Sequence, residues 1–245
     1  MKKGVMFELE GDYAHFRKIY TTTSSLTYGI PPKTALSGLI SAILGLDRDS
    51  YYEKFSNERF QVAIDLKKPL KKDKVNKNQL KIKKRSSGVV GYNKDWPSEL
   101  ERIQVPFEVV KKPKYQIYFS HSNEKLLKEV RNNLKEGKSI YTPYLGISEF
   151  IAQFRYEGEF ETRKKKKKEE KIDSVVPEPF LDKIIPEEEK KYEREKVPAE
   201  MGLIEKGKER KTTSYKSIVF ETQGTPITVE NPQYHEIGDK SVLFF

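Results

Sequence analysis

The sequence contains no cysteine. That absence removes disulfides, thiolate nucleophiles and cysteine-ligated zinc together. Histidine is nearly as scarce: His15, His121 and His235 stand far apart and make no metal-ligand spacing. There is no P-loop, no G-x-G-x-x-G and no G-x-S-x-G. Glu187-Glu188-Glu189 and Asp47/Asp49 are acidic clusters that read as solvated faces, so neither a metal nor a cofactor is expected. Apolar residues are also in short supply, 36% of 245 against 34% charged. The core must therefore be modest and the surface highly charged. Long apolar runs and a leader-like N-terminal segment are absent, which reads as a soluble cytoplasmic protein with no membrane partner.

What is abundant is positive charge. Lysine and arginine number 47 against 37 acids, a net charge of +10 with a pI near 9.3. Such a balance favours a polyanionic partner, although a Lys/Glu-rich surface built for thermal stability has a similar composition. The cations are clustered, which the stability reading does not explain. Ten lie between Lys67 and Arg85 with one acid, Asp73. Six stand in a row from Arg163 to Lys168.

Periodicity gives an α+β chain. Val5–Glu10 alternates as a strand. Leu36, Leu39, Ile40, Ile43 and Leu44 then make one helical face between Pro31-Pro32 and Gly45. Phe60–Leu66 is a second strand. Residues 67–101 read as a basic, hairpin-like excursion with a glycine-rich tip, or as an inert surface loop. Strand-like runs follow at 102–110 and 114–120, with Pro113 between them. Asn123 caps a helix of about four turns with Leu126, Leu127, Val130 and Leu134 as its stripe. Gly137 ends it, and Ile151–Glu157 is a further strand. Two split β-α-β halves make a ferredoxin-like or RRM-like domain over residues 1–160. Residues 161–171 read as a charged linker, and 172–245 as a small, mostly β appendage. Within that appendage, 187–196 reads as a solvated helix or loop.

The chemistry concentrates between the first strand and the first helix. Arg17, Lys18 and Lys33 stand there with Tyr13, Tyr20 and Tyr28, and with hydroxyls from Thr21 onward, at the mouth of a helix N-terminus. Cations hold a phosphate backbone and rings stack on unpaired bases, so this mixture suits single-stranded RNA. Tyr13 and Phe16 serve equally well as core behind the loop. The Thr21–Ser25 run is turn chemistry first. In Tyr141–Phe150, Tyr141 and Tyr144 offer rings, and Gly146 and Ser148 allow close backbone approach to a phosphate; a plain turn is the other reading.

The stretch Gly11-Asp12-Tyr13-Ala14-His15-Phe16-Arg17, continuing through Tyr28-Gly29-Ile30-Pro31-Pro32-Lys33-Thr34 to Leu46, resembles the N-terminal signature of CRISPR-associated family five, a RAMP-superfamily family. The form seen here is most similar to the type I-B branch. Tyr141–Phe150 is similar to a late loop of the same proteins. The likeness spans most of residues 1–160 and is thin beyond. It implies a non-catalytic, RNA-binding Cascade subunit that caps the 5′ handle of the crRNA. It also implies a basic thumb across the guide, placed here on Lys81, Lys83, Lys84 and Arg85. The partners implied are the backbone subunit, the large subunit and, indirectly or near the flanking motif, target DNA. One branch of the family cuts repeat RNA without a metal. In this chain only His15, with Tyr28, Lys33 or Arg17, could serve as base, acid and phosphorane-stabilising cation. No Lys-His neighbour pair lies in the excursion, where the cutting residues are expected. An unrelated basic RRM-like module is the remaining alternative.

Overall fold

The computed structural model describes residues 1–21, 25–80, 102–204 and 209–245. Its framework begins with β1 (Lys2–Glu10), whose odd residues Val5, Phe7 and Leu9 are buried in the main core. Three short pieces follow where the sequence suggested only a loop: β2 (Tyr13–Ala14), β3 (Phe16–Arg17) and β4 (Thr27–Tyr28). Next comes α1 (Lys33–Leu44). No side chain caps α1, but Pro32 supplies a preset φ of −58° at its start. Gly45 ends it at φ 71°, and the Leu46 N–H returns to the Ser41 carbonyl at 2.9 Å. Its apolar face, Leu36, Leu39, Ile40, Ile43 and Leu44, is buried. Each such side chain contributes about 1.5–3 kcal/mol on leaving water.

β5 (Phe60–Leu66) leads to β6 (Lys72–Leu80) and β7 (Arg102–Lys111), which pair antiparallel from Lys72↔Val110 to Leu80↔Arg102. Only β6 lies within the 67–101 excursion; its partner is the strand expected to follow it. The glycine-rich tip and Lys81, Lys83, Lys84 and Arg85 lie outside the described residues. β8 (Lys114–His121) and α2 (Glu124–Lys135) come next, the Asn123 side chain accepting from the N–H groups of Lys125 and Leu126. α2 is three turns rather than four, 12 residues long. With β9 (Gln153–Thr162), the strands form an antiparallel sheet in the order β5-β8-β1-β9. α1 connects β1 to β5, and α2 connects β8 to β9.

The run expected to be a linker consists largely of strand. β10 (Lys164–Lys166) pairs with β16 (Gln233–Ile237), and β11 (Glu169–Ile172) pairs with β15 (Ile227–Glu230). Partner strands distant in sequence satisfy its backbone, which charge density alone could not reveal. Between them come β12 (Val176–Pro177), β13 (Tyr192–Ile204) and β14 (Glu209–Glu221), and β17 (Lys240–Val242) follows β16. Tyr192–Lys196 therefore belongs to a strand, not to a solvated helix or loop. β13 and β14 pair over nearly their full length. The C-terminal half is mostly β, with a hydrophobic cluster of its own around Ile172, Ile227, Val229 and Tyr234, and it also reaches the main core. Val175, Val197, Ile218, Phe220 and Phe245 join the cluster built on β1, β5, β8 and both helices. Phe245 and Val62 exchange backbone hydrogen bonds at 3.0 and 3.2 Å.

Candidate nucleic-acid interface

The first loop is fastened from behind by β7. The His15 Nδ1 lies 2.7 Å from the Glu108 carbonyl. A carbonyl only accepts, so Nδ1 carries the hydrogen. Burial holds the imidazole below its ordinary range despite that bond. The Glu108 carboxylate accepts from the Thr27 N–H at 3.0 Å, and the Glu108 backbone N–H donates to the Ser25 carbonyl at 2.8 Å. Phe107 meets His15 edge-on at 5.3 Å. The loop is a set of short ladders docked on the basic hairpin.

That docking sorts the predicted contacts. Arg17 and Tyr20 point outward, Tyr20 with 64% of its surface exposed. Thr21 makes a turn, its hydroxyl donating to the Lys18 carbonyl at 2.7 Å. Tyr13 is half-buried, its ring 5.6 Å from Phe150. Tyr28 is fully buried and Lys33 nearly so, at 1% exposure. The expectation that both side chains face a strand of RNA fails for a packing reason. Phe16↔Tyr28 pairing turns that ring inward. The Lys33 ammonium donates to Asn57 Oδ1 at 2.8 Å and sits 5.1 Å from the Phe60 ring centroid. Burial pushes its pKa down to about 7. Lys18 is also engaged, 3.0 Å from the buried Glu195 carboxylate.

The second loop comes against the first. Gly146 has φ 93°, and a Cβ there would fall 2.0 Å from the His15 carbonyl oxygen. The close approach it permits is thus to the chain itself. The neighbouring His15 N–H donates to the Leu145 carbonyl at 3.0 Å. Tyr141 and Tyr144 are about half exposed. The Ser148 hydroxyl donates to Glu149, which also pairs with Lys77 of β6.

Between these pieces lies a cleft of about 520 Å³. The first loop lends it His15, Arg17 and Ile19, and the start of α1 lends Pro32, Thr34 and Ala35. Lys77, Gln79 and Phe107 come from the β6–β7 hairpin, Gly146 and Ile147 from the second loop. Tyr51 and Tyr52 form another wall, and Met201, Arg210 and Thr212 of the β13–β14 hairpin close it. Three cations from three separate elements, Arg17, Lys77 and Arg210, therefore border one concave surface with tyrosine rings in its wall. Such a surface has the charge that a nucleic-acid backbone requires, with half-buried Tyr51 and buried Tyr52 in its wall.

A sequence model of the family described as CRISPR-associated protein (Cas_Cas5) matches residues 4–213. The chain belongs to the CRISPR-associated Cas5 family. Among curated proteins none matches the sequence. A "CRISPR RNA-guided surveillance complex" chain shares the fold of this Cas5-family protein with a TM-score of 0.52 and 13% identity, covering 91% of each. A CRISPR protein from Archaeoglobus fulgidus does so with a TM-score of 0.53 and 11% identity, covering 98% of each.

The Cas5-family chain does not link the three groups considered for cleavage. Among the described residues, His15, Tyr28 and Lys33 make no hydrogen bond to one another, and Tyr28 and Lys33 do not line the cleft. Nor do the described residues hold a group of three or more His, Asp or Glu placed to bind a metal. No described helix is long and apolar enough to cross a membrane. Sequence reading missed Lys77 as a cleft residue among ten clustered cations. It missed Tyr51 and Tyr52 as a mere bridge between elements. It missed Arg210 altogether, because nothing local ties residue 210 to residue 17.

Proposed function

We propose that this Cas5-family chain is a non-catalytic RNA-binding subunit of a type I Cascade complex, of the I-B-like branch, that grips the 5′ handle of the crRNA. The observation that carries the reading is the convergence of Arg17, Lys77 and Arg210 on one tyrosine-walled cleft. Exposed Tyr20, Tyr141 and Tyr144, outside the cleft lining, offer the open stacking faces. The sheet order β5-β8-β1-β9, with α1 and α2 as crossovers, supports a ferredoxin-like, RRM-like unit over residues 1–160. In this reading the cations Lys81, Lys83, Lys84 and Arg85 serve the guide backbone. The backbone and large subunits of the complex are the protein partners, with target DNA near the flanking motif.

The test is binding of the purified chain to handle RNA and to a scrambled RNA at one salt concentration. The handle is expected to bind at least about tenfold more tightly, and Arg17→Ala to remove most of that margin. Equal affinity for both RNAs would instead indicate a general basic RNA-binding module. Repeat RNA incubated in EDTA should stay intact; a cut abolished by His15→Ala would make the protein an endoribonuclease.

A further inference from the structure

The run Arg163–Lys168 is not used by the cleft. In the structure it is not a tether either. β10 is paired to β16, so Lys164 stands opposite His235 and Lys166 opposite Gln233. Lys164 and Lys166 therefore project from one face, about 6.5–7 Å apart along the strand. Lys2 reaches the same place from the start of β1. Its ammonium lies 4.5 Å from the Phe244 ring centroid, and that ring meets the buried His235 edge-on at 5.2 Å. On β1, Lys2 and Met6 share the face turned away from Val5, Phe7 and Leu9, which pack with α1 and α2. The cluster thus sits across the sheet from α1, whose N-terminal end borders the cleft.

The electrostatics here are one-sided. Burial and then Lys164 push the Lys2 ammonium down to about 8. Burial, then Lys2, Lys164 and the amino terminus, push the His235 imidazole down to about 4. Within the run, Lys165 is engaged by Glu236 and Lys167 by Glu170. Among the described residues, Lys2, Lys164 and Lys166 make no ion pair. Holding like charges together raises the energy of the free protein, and a bound anion relieves it.

Geometry narrows the anion. Exposed Lys164 and Lys166, with half-buried Lys2 beside them, cannot enclose a small ion, but two exposed lysines along one strand match a linear array of phosphates. Single strands also need open rings for stacking. The exposed tyrosines among the described residues, Tyr20, Tyr141, Tyr144 and Tyr215, lie on other elements, and Phe244 is covered by Lys2. A duplex hides its bases and offers its backbone. We propose that Lys2, Lys164 and Lys166 form a sequence-independent site for the phosphodiester backbone of a nucleic-acid duplex, separate from the cleft.

The experiment measures binding of the full chain to a short DNA duplex of arbitrary sequence across a salt series. Lys164→Gln/Lys166→Gln should lower duplex affinity about tenfold and reduce the salt slope by about 1–2, the contribution of two lost phosphate contacts. Handle RNA should bind this variant within about twofold of wild type, and Arg17→Ala should bind duplex within about twofold. Lys164→Arg/Lys166→Arg should restore duplex binding, which excludes a folding defect. An unchanged duplex affinity, failure of the arginine pair, an equal loss of handle RNA, or displacement by polyglutamate as readily as by duplex would each overturn the proposal. A handle-binding failure in Arg17→Ala bears on the cleft alone.

Discussion

Lys33 shows how far burial moves a residue from the role its position suggests. It opens α1, where an anion site looks natural and a lysine could help hold the anion, yet its ammonium is inside the protein. Its pKa falls from 10.5 to about 7, while in the unfolded chain it stays near its ordinary value. Between those limits the unfolded state binds more protons, so stability rises as pH goes from about 7 to about 10.5. Lys33→Met is expected to remove that rise relative to wild type and to lift the melting temperature at pH 7. Thermal denaturation over pH 6–10 checks both, and a wild-type curve parallel to that of the variant would refute the assignment. Handle affinity should stay within about twofold. Gly146 makes the complementary case. Gly146→Ala meets the His15 carbonyl at a φ unfavourable to alanine, and a cost of about 1–3 kcal/mol is expected in urea denaturation. Handle RNA should weaken as well, because the displaced carbonyl belongs to the first loop.

At the scale of elements, one carboxylate joins three of them. Glu195 on β13 accepts from the Gly29 N–H at 3.1 and 3.2 Å and pairs with Lys18 at 3.0 Å. Lys72, at the foot of the basic hairpin, lies 3.8 Å away and is held at 2.9 Å by Glu193. Burial pushes the Glu195 carboxyl up, against the pull of Lys18. The first loop, the hairpin and β13 are thus set relative to one another by a group outside the cleft. Glu195→Ala strands Lys18 and the Gly29 N–H, and a loss of about 3–5 kcal/mol is expected. Glu195→Gln can still accept from Gly29 and should lose less. Urea midpoints of the two variants check the order, and equal midpoints would show that the charge itself is decisive. Both should also weaken handle binding.

For the whole molecule, the excess of cations predicts strong salt dependence. If four to six phosphates are held, log K against log salt should fall with a slope of about −3 to −4 for a single strand. Arg17→Ala should weaken the handle more than a single Lys→Ala within 67–85 at any position but Lys72 and Lys77, because a cation outside the cleft is easily replaced by its neighbours. Comparable losses from both kinds of variant would mean that the cleft does not position the RNA. The two basic surfaces lie on opposite sides of the central sheet, so variants in one should leave ligands of the other nearly undisturbed.

Local pattern determined a large part of this protein. Alternation placed Phe60–Leu66 within its strand limits, Gly45 and Asn123 marked helix boundaries, and an ordered string of residues identified the family. These signals lie within a few residues of one another, where strand and helix periods act. What the tertiary structure decided depends on distant partners. Arg17 and Arg210 border one cleft only because β13 and β14 reach it from far along the chain. Lys33 is buried only because Asn57 and Phe60 arrive to cover it. Six cations become part of a fixed surface only when β16 takes Lys164–Lys166 into a ladder. Charge density along a chain tells how strongly a segment resists burial, but not which strand will later hold its backbone.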